Sequence, residues 1–257
     1  MDTLEEPILA AKRQKALALL DHFSTFTDYR HGKDNPFLKW LALEPTLSVR
    51  DVVTFFNFWY PLSRRQPQIL LRCAAEHSEQ ADRKLIMLNY REEDGLVKLG
   101  DQPHYSLLEK LILKLGGELH PDEKGQALMN SLFNWITKTV STPAEASGVL
   151  AGLEHPALDI SWYFRRTVTL CGFPELLRTD PYLTIHVAVE PDHIIWSHGN
   201  AMRYLEGSQK AEFLKTYQKV MSFWQEFWPQ AFAKLGYQPE STTALRGNEL
   251  FLYWTIS

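Results

Sequence analysis

Apolar residues recur at three- and four-residue intervals along almost the whole chain, and no stretch alternates apolar and polar residues long enough to build a sheet. A chain of that pattern must bury helical stripes against one another. Short Gly, Pro and Asp clusters punctuate it. The spacing predicts helices over 7–24, 35–44, 48–75, 78–95, 103–116, 121–140, 143–172, 180–206 and 208–236. Start signals agree with these bounds. Ser48 stands three residues before Asp51, the spacing of a capping box. Asp101 precedes Pro103 and Thr142 precedes Pro143, each pair suited to a first helical turn. Gly95, Gly116 and Gly172 fall where helices should stop. With 257 residues, 45% of them hydrophobic, the chain can enclose one large core. The expected architecture is therefore an all-α bundle of seven to nine helices, forming a single domain over residues 1–257. The tail, residues 249–257, is β-prone and serves as either a strand or a strap over the bundle.

Several functional classes are disfavoured at once. The net charge is -4 and basic residues occur only in short pairs such as Arg64-Arg65 and Arg165-Arg166, so no nucleic-acid partner is expected. No run approaches the roughly 18 apolar residues that a membrane span needs. The first residues are acidic where a secretory signal would be basic. Two distant cysteines, Cys73 and Cys171, make no disulfide framework. The expectation is a cytoplasmic, reduced protein. The stripe Phe223, Trp224, Phe227 and Trp228 reads as core, as a homodimer interface or as a partner surface.

Chemistry concentrates in three segments. His186, Glu190 and His193 stand at i, i+4 and i+7, one face of a helix. Their neighbours Ile185, Val187, Val189 and Ile194 make that helix apolar nearly all round, so the face is buried and its polar groups need partners. Imidazole and carboxylate donors together suit iron. Asp192 is one step off the face and points outward. Glu154 ends the small-residue stretch Gly148, Ala151 and Gly152, which favours close helix packing and a buried carboxylate. His155 is turned away from it. Glu92 continues the Ala81, Leu85, Leu88 stripe and so faces the core, while Glu93 and Asp94 read as solvated end-of-helix charges. His104 opens the following helix. Pro61, Pro156 and Pro191 interrupt apparent helices, the last two beside carboxylates. The set Glu92, His104, Glu154, His186, Glu190 and His193 has the make-up of a two-metal site inside a bundle.

These segments resemble the heme-oxygenase-like di-iron oxidases, a family that includes the chlamydial protein associating with death domains. Asn89 to Gly95 with Pro103-His104, Ala151 to Glu154 with Ile160-Ser161, and Tyr182 to His193 carry the likeness. The resemblance implies a heme-oxygenase-like helical bundle holding two Fe(II) per chain, or manganese in their place. It further implies dioxygen as co-substrate, an external reductant and a small carboxylate- or amine-bearing substrate. That substrate, an amino acid or fatty acid, would undergo C–C cleavage, desaturation or N-oxygenation. A homodimer is the favoured assembly.

Two further residues enter as substrate-binding candidates. Arg165 lies eleven residues after Glu154, three turns along the same face, where a guanidinium can pair with a substrate carboxylate or form a salt bridge within the protein. Tyr182 is one turn before His186, where it can also donate to a metal ligand or serve as a core tyrosine. Two competing readings remain on the same fold. One is a metal-free enzyme of thiamine or quinone-cofactor metabolism, which in its thiaminase form needs an activated cysteine. The other is a non-catalytic helical interaction protein. Heme binding would call on a histidine such as His22 and would leave His186, Glu190 and His193 unexplained.

Overall fold

A computed structural model describes residues 5–77, 79–97 and 101–238. Helices follow one another as α1 (Glu5–Phe23), α2 (Pro36–Ala42), α3 (Val49–Glu76), α4 (Gln80–Glu93), α5 (His104–Lys114), α6 (Glu123–Thr139), α7 (Pro143–Glu154), α8 (Ala157–Leu170), α9 (Leu176–Thr179), α10 (Pro181–Leu205) and α11 (Lys210–Ala233). No strand occurs among the described residues. The tail 249–257 lies outside them.

Local chemistry explains most of the boundaries. Ser48 and Asp51 form the expected capping box, each side chain accepting from the other's backbone. Thr142 caps α7 and Asp180 caps α10, both ahead of a proline in the first turn. Asp101 does not cap α5; Pro103 occupies that position and the helix opens at His104. Gly95, Gly116 and Gly172 all take positive φ beyond a helix end.

The prolines divide into two kinds. The helix expected over 143–172 is broken in two at His155-Pro156. Pro156 has no N–H for the carbonyl of Gly152, and the Trp224 indole N–H donates to that oxygen instead, at 2.9 Å. Pro61 and Pro191 stay inside unbroken helices, contrary to the expected interruptions. The carbonyl that Pro61 leaves free, on Asn57, accepts from Asp122 N at 3.0 Å.

Helix α7 is buried along its length from Ala144 to Glu154. Its glycines let α11 lie directly against it. A Cβ on Gly148 would fall 2.1 Å from Thr216 Oγ1, and one on Gly152 would fall 2.7 Å from Val220 Cβ. Phe223, Trp224, Phe227 and Trp228 are all interior, so their stripe is core and not a partner surface. Trp59, Trp224 and Trp228 stack with ring planes 10–14° apart. A smaller apolar cluster, Ala16, Leu20, Ala157 and Ile194, fastens α1 to α8 and α10. The result is a tight apolar body with α4, α5, α7 and α10 closing around a polar centre.

Candidate metal centre

All three histidine and carboxylate positions on α10 point inward: His186, Glu190 and His193 are 7%, 6% and 5% exposed. Asp192 faces out and pairs with Lys12 at 2.6 Å. His186 Nδ1–H donates to the Tyr182 carbonyl at 2.6 Å, which leaves Nε2 as its lone-pair nitrogen. Tyr182 therefore orients His186 through its backbone, while its hydroxyl accepts from Trp59 Nε1 at 2.9 Å.

Glu154, the last residue of α7, comes up to this face from the side. Ligand atoms of Glu154, Glu190 and His193 lie within 4.8 Å of one another, so these three buried residues can hold a metal ion. His193 Nδ1 is 3.5 Å from Glu190 Oε2 and 3.9 Å from Glu154 Oε2. Asn89 of α4 donates to Glu154 Oε1 at 3.2 Å. Opposite stands a second group. His104 Nδ1 is 3.0 Å from Glu93 Oε2, and the His104 and His186 rings are 5.0 Å apart.

The α4 carboxylates are exchanged relative to expectation. Glu93 is the buried one, in line with Asp82, Ile86 and Asn89, whereas Leu85 and Leu88 of the supposed core stripe are exposed. One residue is 100° of helix rotation, so choosing the wrong apolar stripe turned the wrong carboxylate inward. Glu92, partly exposed, instead accepts from His193 Nε2 at 2.9 Å. A carboxylate on the far nitrogen of an imidazole sets its tautomer and aims Nδ1 at the cluster. The spacing Asp82, Ile86, Asn89, Glu93 was the signal that could have found both Glu93 and Asn89.

Charge is unbalanced here in a way that a cation would correct. No lysine or arginine pairs with Glu93, Glu154 or Glu190 among the described residues. Burial, reinforced by the charges of Glu190 and Glu93, pushes the Glu154 carboxyl up to about 7. Burial alone would raise Glu93 too, but His104 holds it below the usual range. Burial opposes protonation of His193, yet Glu190, Glu92 and Glu154 outweigh it and raise the imidazole well above its ordinary value. Burial, and then His104, lower His186. His104 Nε2 and His193 Nδ1 have no hydrogen-bond partner. Three carboxylates and three imidazoles that cannot satisfy one another fit a divalent metal centre.

A family model described as iron-containing redox enzyme matches residues 53–225. The chain belongs to this family. The matched stretch covers α4, α5, α7 and α10, and so the whole polar centre. Two crystal structures of a CADD-like protein of unknown function from Nostoc punctiforme PCC 73102 share the fold. One, at 13% identity and a TM-score of 0.66, covers 88% of this chain and 99% of its own. The other, at 14% identity and a TM-score of 0.60, covers 92% and 100%. No curated protein matches the sequence. The resemblance read from the motifs and the all-α, heme-oxygenase-like fold are both upheld.

Space in this iron-containing redox family member is distributed around the centre in three cavities. One of about 20 Å³ lies among Glu93, Glu154, His186 and Glu190, room for an ion or a water and nothing larger. One of about 310 Å³ borders His186 and contains Arg165. A third, of about 760 Å³, borders Glu92. Tyr182 is fully buried and lines none of these three, and it touches the centre through its backbone carbonyl on His186. Burial pushes the Cys73 thiol up to about 12 and that of Cys171 up to about 11. Neither thiol lines these cavities, and neither is the activated nucleophile that a thiaminase needs. His22 is exposed and packs edge-on against Phe23 and Phe26. No helix among the described residues is long and apolar enough to cross a membrane.

Proposed function

We propose that this chain is a non-heme di-iron oxidase acting on a small carboxylate- or amine-bearing substrate, with dioxygen as co-substrate and electrons from an external reductant. The observation that carries the reading is the pair of facing carboxylate–imidazole groups with unsatisfied ring nitrogens. Glu154, Glu190 and His193 would hold one metal, and Glu93, His104 and His186 the other. Glu190 acts electrostatically on His104 and His186 as well as on His193, so it is suited to serve both sides.

Bound iron would supply the two-electron reduction of dioxygen that a substrate oxidation requires. The chain's own residues do the remainder. Glu92 and the Tyr182 carbonyl hold His193 and His186 in the ligating tautomers. Asn89 keeps Glu154 turned inward. Trp59 and Trp224 wall the small cavity and exclude bulk water. A 20 Å³ space cannot take an organic substrate, so the substrate would lie in the adjoining cavity beside His186 and Arg165, with Arg165 pairing with its carboxylate.

Anaerobic Fe(II) titration of wild type and His186→Ala tests the reading. About two irons per chain in wild type, falling to about one in the variant, is the expected result. Iron no higher than background in wild type would overturn it.

A further inference from the structure

The 310 Å³ cavity beside His186 contains a second guanidinium that the sequence did not suggest. Arg13 of α1 lines it together with Arg165 of α8. Both side chains are half-buried. Neither forms an ion pair with a carboxylate among the described residues, and no acidic side chain lines the cavity. Arg165 spends one donor on the Leu177 carbonyl at 3.1 Å, which holds its fork in place without neutralising it. Burial lowers both arginines, and the charge of Arg13 lowers Arg165 further, so the two guanidiniums are near enough to repel. Two like charges drawn out of water with no counter-charge are costly unless a ligand supplies one. The rest of the wall is mixed: Leu17, Leu158 and Trp162 give it an apolar part, and Gln14 and Ser161 are neutral polar groups. The larger cavity beside Glu92 contrasts with it, because Lys114 there is already paired with Asp180 at 2.6 Å and Lys110 with Gln102 at 2.5 Å.

We infer that Arg13 and Arg165 form a two-armed clamp for the oxyanion head of a small amphipathic ligand, whose apolar body lies against Leu17, Leu158 and Trp162 and which abuts His186. Planar forks from two helices suit a carboxylate or a phosphate monoester equally. At about 310 Å³ the cavity is near the lower end of small-molecule pockets, so the ligand is small. Helix α1 becomes the recognition element: it lies outside the matched family segment, which begins at residue 53, and it is held to the bundle by Ala16 and Leu20 against Ala157 and Ile194. The inference deepens the oxidase reading and rests on it only for the role of His186.

Calorimetric titration of the full-length chain, with and without anaerobic Fe(II), tests it with hexanoate, hexyl phosphate and hexanol as probes. At least one anion should bind at least tenfold more tightly than hexanol, and the ratio of hexanoate to hexyl phosphate tells which head the clamp prefers. Arg13→Gln and Arg165→Gln should each weaken anion binding at least tenfold with iron content unchanged. Should Arg13→Gln fail to fold, Arg13→Lys carries the test, since an ammonium keeps the charge but loses the fork and should still weaken binding. Anion binding unchanged in the folded variants, or no anion binding by wild type, overturns the clamp. Anion binding by a chain that takes up no iron removes the oxidase reading and leaves the clamp standing; iron uptake without anion binding does the reverse.

Discussion

Glu154 and His155 are adjacent, yet they belong to two buried polar clusters on opposite sides of the same chain segment. On the Glu154 side, carboxylates and imidazoles converge with too many acceptors, no balancing base and two ring nitrogens left over. On the His155 side the same residue types largely satisfy one another. His155 Nδ1 is 3.0 Å from the Tyr217 hydroxyl and 3.3 Å from His198 Nε2, and His198 Nδ1 is 3.0 Å from Ser197 Oγ. Burial keeps both histidines uncharged, pushing His198 down to about 3. Asp159 accepts from Gly32 N at 3.0 Å, Asn35 Nδ2 at 2.9 Å and the Tyr29 hydroxyl at 3.2 Å. His155 Nε2 and the Tyr163 hydroxyl are the open valences on this side among the described residues. The difference teaches that residue type does not separate a structural cluster from a ligand set. The count of donors against acceptors does.

That contrast can be broken by experiment. Asp159→Ala strands three buried donors and should destabilise the fold by about 3 kcal/mol, read from urea unfolding, while iron content stays unchanged. A parallel loss of iron would mean that the two clusters are one unit. A pH series probes the same residue at similar size. Burial pushes the Asp159 carboxyl up to about 6, against the pull of its donors. The unfolded carboxyl ionises near pH ~4, so between pH ~4 and ~6 the unfolded chain releases a proton that the native state keeps. Stability should therefore fall by about 3 kcal/mol as pH rises through that window and then level off, and Asp159→Asn should abolish this slope. The smallest effect sharpens the metal side. Glu92→Gln should weaken iron binding by roughly tenfold without changing its stoichiometry, because the amide still accepts from His193 less strongly. Glu93→Gln should instead remove about one iron per chain. The opposite pattern would restore Glu92 as the inward carboxylate.

Much of the centre could be read from the chain alone because α10 is regular. At 3.6 residues per turn, 186, 190 and 193 share a face whatever the rest of the fold does. Glu154 was found the same way, as a carboxylate closing a stretch of small residues. Failure came on α4, where both possible stripes carry apolar residues. Leu85 and Leu88 are the more hydrophobic, but the buried line runs through Asp82, Ile86, Asn89 and Glu93. Only the polar partners on α7 and α5, Glu154 and His104, explain why that line faces in. Arg13 was missed for a similar reason: nothing near it in sequence marks it, and its significance comes from Arg165, 152 positions later.

By itself, then, the sequence determined the helices, most of their caps and stops, and the inward face of α10. Each depends on interactions within a few residues, and such interactions are written locally. Tertiary structure alone decided which α4 carboxylate turns inward and how the carbonyls freed by Pro156 and Pro61 are satisfied. It also decided that His155 joins a self-satisfied network while Glu154 does not, and that two arginines from distant helices meet beside His186. These outcomes depend on which surface each helix finds opposite it, and that is settled by packing and charge across the whole bundle.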